Sequence, residues 1–220
     1  MGSNQWTAVY TAHANDADGE ISYNLTATTQ GTSNSSTFTG DGVTFDDIAP
    51  SLSTVTILSN NTTSTSMTTN LNEVTLSYAS NETLSAAPTV VFTSGGAAVV
   101  NRLGNGTQIA YTDDGSGNYT AKYISDTNDT DGAVGYTITF SDRAGNSGVA
   151  VTGPTNASSV THDGTAPTLS NYVITSDNTP NTRANGGDRV TIAFRSNEDI
   201  ATPSVVFTTN GNNVVENRLG

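Results

Sequence analysis

Short bursts of alternating apolar and polar residues run along the whole chain, each closed by a turn signal. Val74, Leu76 and Tyr78 alternate with Thr75 and Ser77, and Val190, Ile192 and Phe194 do the same further on. Tyr119, Ala121 and Tyr123 match Trp6, Ala8 and Tyr10 in spacing. Val134, Tyr136, Ile138 and Phe140 match Ile21, Tyr23, Leu25 and Ala27. A period of two places alternate side chains on opposite faces of an extended backbone, so these bursts predict strands with one face inward. Gly95-Gly96, NRLGNG at 101–106, DDGSG at 113–117, NDTDG at 128–132 and DRAGN at 142–146 separate them. No stretch keeps a helical period over three turns. Threonine, β-branched yet polar, suits strands with one solvated face. The density of strands, about seven in roughly 115 residues, predicts an all-β fold of antiparallel sandwiches.

The bursts belong to a longer repeat. IAPSLSTVTILSNNT at 48–62 returns as TAPTLSNYVITSDNT at 165–179, and the stretch from Val74 returns from Val190. NRLG at 101–104 closes the chain at 217–220, and the stretch from Trp6 returns from Tyr119. The reading is therefore the back half of one repeat at 1–47, a complete repeat at 48–164, and the front half of a third at 165–220. Half a sandwich cannot bury its own face. Its completion is expected from the rest of a longer array. Strand exchange with another chain, or closure within one chain, would omit the counterpart of residues 105–117 and so lack one strand. Met1-Gly2-Ser3 leads into Asn4-Gln5-Trp6 without the basic and apolar stretches of a signal peptide, as at the edge of a segment cut from such an array.

Composition narrows the function. Hydrophobic residues at 34% are enough for a core, and no apolar run approaches membrane-spanning length. Twenty acidic residues against seven basic ones give a net charge of −13, which repels phosphate backbones and excludes nucleic acid as an expected partner. The same surplus disfavours anionic membranes and favours divalent cations. With no cysteine there is neither disulfide nor thiol chemistry. Nine N-x-S/T sequons match what the Asn, Ser and Thr content produces by chance, so they carry no weight.

TAPTLS opening each repeat, SNE after its second alternating burst, and DTDGAV followed by YTITFSDRAGN together resemble bacterial-type immunoglobulin-like domains. Such tandem repeats occur in giant adhesins and prokaryotic surface-layer proteins. The resemblance covers nearly the whole chain and implies an extracellular, cell-surface structural segment: an adhesin stalk, a surface layer or a filament. The implied partners are neighbouring repeats in the same or adjacent chains, up to a homopolymer. A glycan-binding accessory module of a secreted protein is the alternative, and it calls for exposed aromatics on one face. Trp6 and the tyrosines instead fall at inward strand positions.

In an immunoglobulin-like sandwich three loops share one pole, and here they carry Asp46 and Asp47, Glu82, and Asp142 with Asn146. Carboxylate and amide oxygens converging at a domain junction suit Ca²⁺, which takes six to eight oxygens. In similar repeats calcium stiffens the stalk at such junctions, so the resemblance implies structural Ca²⁺ here. Asp163 and Glu198 would form part of a second site; Thr29 stands where the first half-repeat would need the counterpart of Asp142.

NDADG at 15–19 and NDTDG at 128–132 look like half an EF-hand loop, but the first and twelfth ligand positions fail, and a hairpin turn is expected instead. No enzyme is expected. Nucleophile elbow, zinc-protease motif, P-loop and dinucleotide fingerprint are all missing, and adjacent carboxylates such as Asp113-Asp114 point apart. Lys122 lies between inward Ala121 and Tyr123, so it faces out and cannot form a buried isopeptide bond.

Overall fold

The computed structural model describes residues 5–29, 31–99 and 110–213; the expected turn at 101–106 and the closing NRLG at 217–220 lie outside them. Among the described residues the fold is all-β, with no helix. Contacts divide the chain into two compact units, Met1–Gly164 and Thr165–Gly220.

The first unit opens with a long hairpin of β1 (Gly19–Thr29) and β2 (Thr32–Phe45). A two-sheet sandwich follows. One sheet holds β3 (Leu52–Ser59), β5 (Glu73–Ser80), β9 (Asn118–Ile124) and β8 (Ala110–Asp113), in that order. The other runs β4 (Met67–Thr68), β11 (Thr161–His162), β10 (Gly132–Thr139), β6 (Thr89–Ser94) and β7 (Ala97–Ala98). All pairings are antiparallel except β4 with β11. The second unit contains the pair β12 (Leu169–Ser176) and β13 (Val190–Ser196), and the short pair β14 (Thr208–Thr209) and β15 (Asn212–Asn213).

The predicted alternation fills the sandwich. Val74, Leu76 and Tyr78 of β5 and Ala121 and Tyr123 of β9 are buried, facing Val90, Phe92, Tyr136 and Ile138 of the other sheet. Phe92 and Tyr123 meet across the gap with ring centroids 4.8 Å apart, tilted by 41°. Tyr78 and Tyr119, direct cross-strand partners, stack at 5.8 Å. Lys122, facing away from the core, reaches Glu73 at 2.9 Å.

Local geometry repeats with the sequence. Thr54 in β3 and Asn171 in β12, 117 residues apart, both take positive φ (50° and 54°) at a register shift against the next strand. Gly95 and Gly96 turn β6 into β7 with φ of 55° and 81°; Asn210 and Gly211 turn β14 into β15 with 52° and 77°. Both are two-residue turns with positive φ at both positions, the form that suits the twist of a hairpin.

Two expectations are corrected. Trp6, Ala8 and Tyr10 form no strand, and Trp6 is 90% exposed rather than inward. Their counterparts on β9 are held between β5 and β8, and the N-terminal half-repeat contains no counterpart of β5 to receive them. Tyr23 and Tyr172 are exposed as well, since among the described residues no second sheet covers the strand that holds each of them. The NDTDG segment is no hairpin either. β9 and β10 belong to opposite sheets, so it arches from one to the other, with Asp126 and Asp129 hydrogen-bonding the turn and Gly132 at φ 135°. NDADG likewise has no strand before it, and its turn is closed by Asp16 N–H to His13 O.

Ile138 and Leu25 are repeat counterparts, the first fully buried and the second 59% exposed. Ile138→Ala is expected to lower unfolding stability by about 2–5 kcal/mol. Leu25→Ala should change it by no more than about 0.5 kcal/mol. Urea unfolding of the full chain measures both, and equal losses would contradict the burial difference.

Candidate metal centre

Three segments far apart in the chain deliver carboxylates to one pole of the sandwich. Asp46 follows β2 in the link to β3. Its side chain accepts the Ile48 N–H at 3.2 Å, a local turn that sets the direction of the link. Glu82 leaves β5 through the SNE motif, and each residue of that motif has a task. Ser80 Oγ accepts the Glu82 N–H, and Asn81 grips the entry to β3, taking the Ser51 N–H on its Oδ1 at 2.7 Å and giving its own N–H to Ser51 O. The second unit repeats this clamp: Thr168 N–H reaches Asn197 Oδ1 at 2.6 Å, and Asn197 N–H reaches Thr168 O.

Asp142 begins DRAGN. Its Oδ1 accepts the Gly145 and Asn146 N–H groups at 2.7 and 2.9 Å, and its Oδ2 accepts the Asn146 side-chain amide at 2.8 Å. It is 1% exposed and forms a bridge with Leu84, which brings the DRAGN loop beside Glu82. One oxygen each from Asp46, Glu82 and Asp142 lie within 4.8 Å of one another.

Charge at this pole is divided unevenly. Burial would raise the Asp142 carboxyl, but the Asn146 side chain and the N–H groups of Asn146, Gly145 and Ala144 outweigh it and hold the carboxyl below its ordinary value. Glu82 is raised, first by burial and then by the negative charges of Asp46, Asp142 and Asp18. A cleft of about 380 Å³ opens beside Glu82, lined by polar groups including Asp113, Ser116 and Arg143. Clustered oxygens, one of them firmly ionised, form a donor set of the hard-cation type.

The other predicted residues behave differently. The Asp47 side chain stays outside the triad; its N–H donates to Asp18 Oδ1 at 2.9 Å. Asn146 turns its NH₂ toward Asp142 and the Asp46 carbonyl, so it braces the site and its nitrogen is no ligand. Asp163 is half-buried, with its N–H on Thr68 O, and Glu198 belongs to the second unit, its N–H on Ser196 Oγ.

Asp18 is the residue missing from the sequence expectations. Its carboxylate anchors the link at Asp47 and adds to the field on Glu82. The usable signal was repetition. Asp131, its counterpart 113 residues on, takes the Gly164 N–H at 2.7 Å in the same way, so both copies of the acidic turn hold the exit from their module.

Compared with known proteins, the chain matches no family model, no curated protein and no solved structure.

A raised Glu82 and a lowered Asp142 act on stability with opposite signs. Glu82 opposes folding when ionised, so its contribution improves as pH falls through its raised folded value. Asp142 supports folding above its unfolded value and loses that support as pH falls through its lowered one. With chelator at neutral pH, Glu82→Gln is therefore expected to melt above the parent, the gap closing as acid protonates Glu82. A variant that melts lower at neutral pH would contradict the like-charge cluster.

Proposed function

We propose that this chain is an extracellular structural repeat segment of a surface-exposed protein of the surface-layer, filament or adhesin-stalk kind. Its modules are immunoglobulin-like, and it acts as a stiff spacer or assembly element whose junction between residues 1–47 and the complete repeat is fastened by calcium. The observation that carries this reading is the convergence of Asp46, Glu82 and Asp142 within 4.8 Å from the inter-repeat link and two sandwich loops. A cation there would offset the repulsion on Glu82 and tie the link to the sandwich at the point where a stalk bends. The acidic surface and the threonine-rich strands fit an exported role. Among the described residues no helix is long and apolar enough to cross a membrane. The role is mechanical and non-catalytic.

One observation favours glycan binding: Trp6 and Tyr10 are 90% and 58% exposed. A stacking platform needs rings held on a rigid element, and these lie on a segment with no strand partner.

Calorimetric titration of the chain with calcium chloride tests the reading. Saturable binding is expected, with a stabilisation of about 2.7 kcal/mol at a hundredfold excess over Kd. Glu82→Gln and Asp18→Asn should each weaken binding by about tenfold or more, because each removes a negative charge from the cluster. No binding heat, together with the same melting temperature in millimolar calcium and in chelator, would overturn it.

A further inference from the structure

His162 is a buried polar side chain for which the fold itself gives no reason. It ends β11, opposite Gly132 at the start of β10, and its side chain is fully enclosed. Neither ring nitrogen has a hydrogen-bond partner. The hydroxyl of Thr68, its register partner on β4, is taken up by Ser125 Oγ at 2.6 Å. Burying polar atoms unpaired is costly, and packing does not require them here. In the preceding copy of the repeat Phe45 holds the same place, opposite Gly19, so an apolar ring is enough.

What the ring faces is a carboxylate. Nε2 stands 3.8 Å from Asp131 Oδ1, too far for a hydrogen bond, and the Asp131 side chain is 47% exposed. Asp131 Oδ1 is steadied by the Gly164 N–H at 2.7 Å. Gly164 also leaves room beside the pair: a Cβ on it would lie 3.1 Å from Nε2 and 3.5 Å from Oδ1. A nitrogen and an oxygen bound tetrahedrally to one zinc ion, each at about 2.0–2.2 Å, stand about 3.4 Å apart. Closing the pair by a few tenths of an ångström therefore lets both atoms hold one ion.

We propose that His162 Nε2 and Asp131 Oδ1 bind a transition-metal dication of the zinc type, with water in the remaining coordination positions. Imidazole suits zinc, nickel and copper ions, whereas calcium takes oxygen ligands. The site is therefore chemically distinct from the acidic triad, and it lies at the other end of β10 from Asp142. Asp129 and Asp163, close by in sequence, add to the negative field that draws a cation in. The ion enters from the solvent side of Asp131, gives the buried nitrogen its missing partner, and ties the end of β11 to the turn before β10. It thereby braces the exit from the complete repeat.

This inference does not rest on calcium. The chain has no cysteine, and its only other histidine is the exposed His13. Zinc chloride is titrated at neutral pH into the full chain in millimolar calcium chloride, with the ring resonances of both histidines followed by NMR and the binding heat by calorimetry. The His162 signals should shift saturably. Affinity should fall at least tenfold in His162→Phe, a residue the repeat already accepts at this place, and in Asp131→Asn, which can still accept the Gly164 N–H. Gly164→Ala should weaken binding several-fold by crowding the ion while leaving both ligands, and Glu82→Gln should leave it unchanged. Zinc that moves only the His13 signals, or that binds His162→Phe as tightly as the parent, would overturn the proposal. Calcium heat that persists in such a result would leave the junction reading standing and remove only this one.

Discussion

A β-sheet with one apolar face is stable only when that face is covered, and this single requirement organises the molecule. Within residues 48–164 it is met by the opposing sheet: Phe92 against Tyr123, and Ile138, Val90 and Leu76 in the same dry layer. The same sequence pattern in the two half-repeats stays open. Ile174, the counterpart of Ile57, is 64% exposed where Ile57 is 2% exposed. Burial here is thus a property of the pairing of halves, and the local pattern of residues only makes it possible.

The acidic pole follows from that closure. Closing the sandwich sets the β5–β6 loop beside the DRAGN loop, and the Leu84–Asp142 bridge fixes their spacing. Neutral groups then do the positioning: Asn81 on the entry to β3 and Asn146 between Asp142 and the Asp46 carbonyl. Asparagine suits these places because it donates and accepts without adding charge to a site that already repels itself. Asp142 keeps its charge despite burial because the Asn146 side-chain amide and the backbone N–H groups solvate it in place of water, while Glu82 is raised first by burial and then by the neighbouring carboxylates.

Much of this was legible in the residues, unevenly and for identifiable reasons. The repeat was plain from self-similarity alone, and the alternation located β5, β9 and β10 because period-two burial leaves a mark at every second residue. Asp46, Glu82 and Asp142 were found because they sit at loop positions adjoining recognisable strands. Asp18 was not, since an Asp before a Gly has the ready explanation of a turn, and its partner at Asp47 is twenty-nine residues away. The same turn chemistry misled the reading of NDTDG: Asp and Gly signal that the chain reverses, but not whether it returns to the same sheet or crosses to the other.

What the amino-acid order determined by itself was local and periodic: extended backbone, the positive-φ turns at Gly95-Gly96 and Asn210-Gly211, the bulge repeated at Thr54 and Asn171, and a surface rich in negative charge. What only the tertiary structure decided was which alternating faces find a cover and which carboxylates meet. Tyr119 and Trp6 carry the same pattern, yet one is 7% exposed and the other 90%. The reason is that burial and like-charge repulsion depend on distances between segments far apart in the chain, and strand periodicity contains no information about those distances until two sheets close on each other.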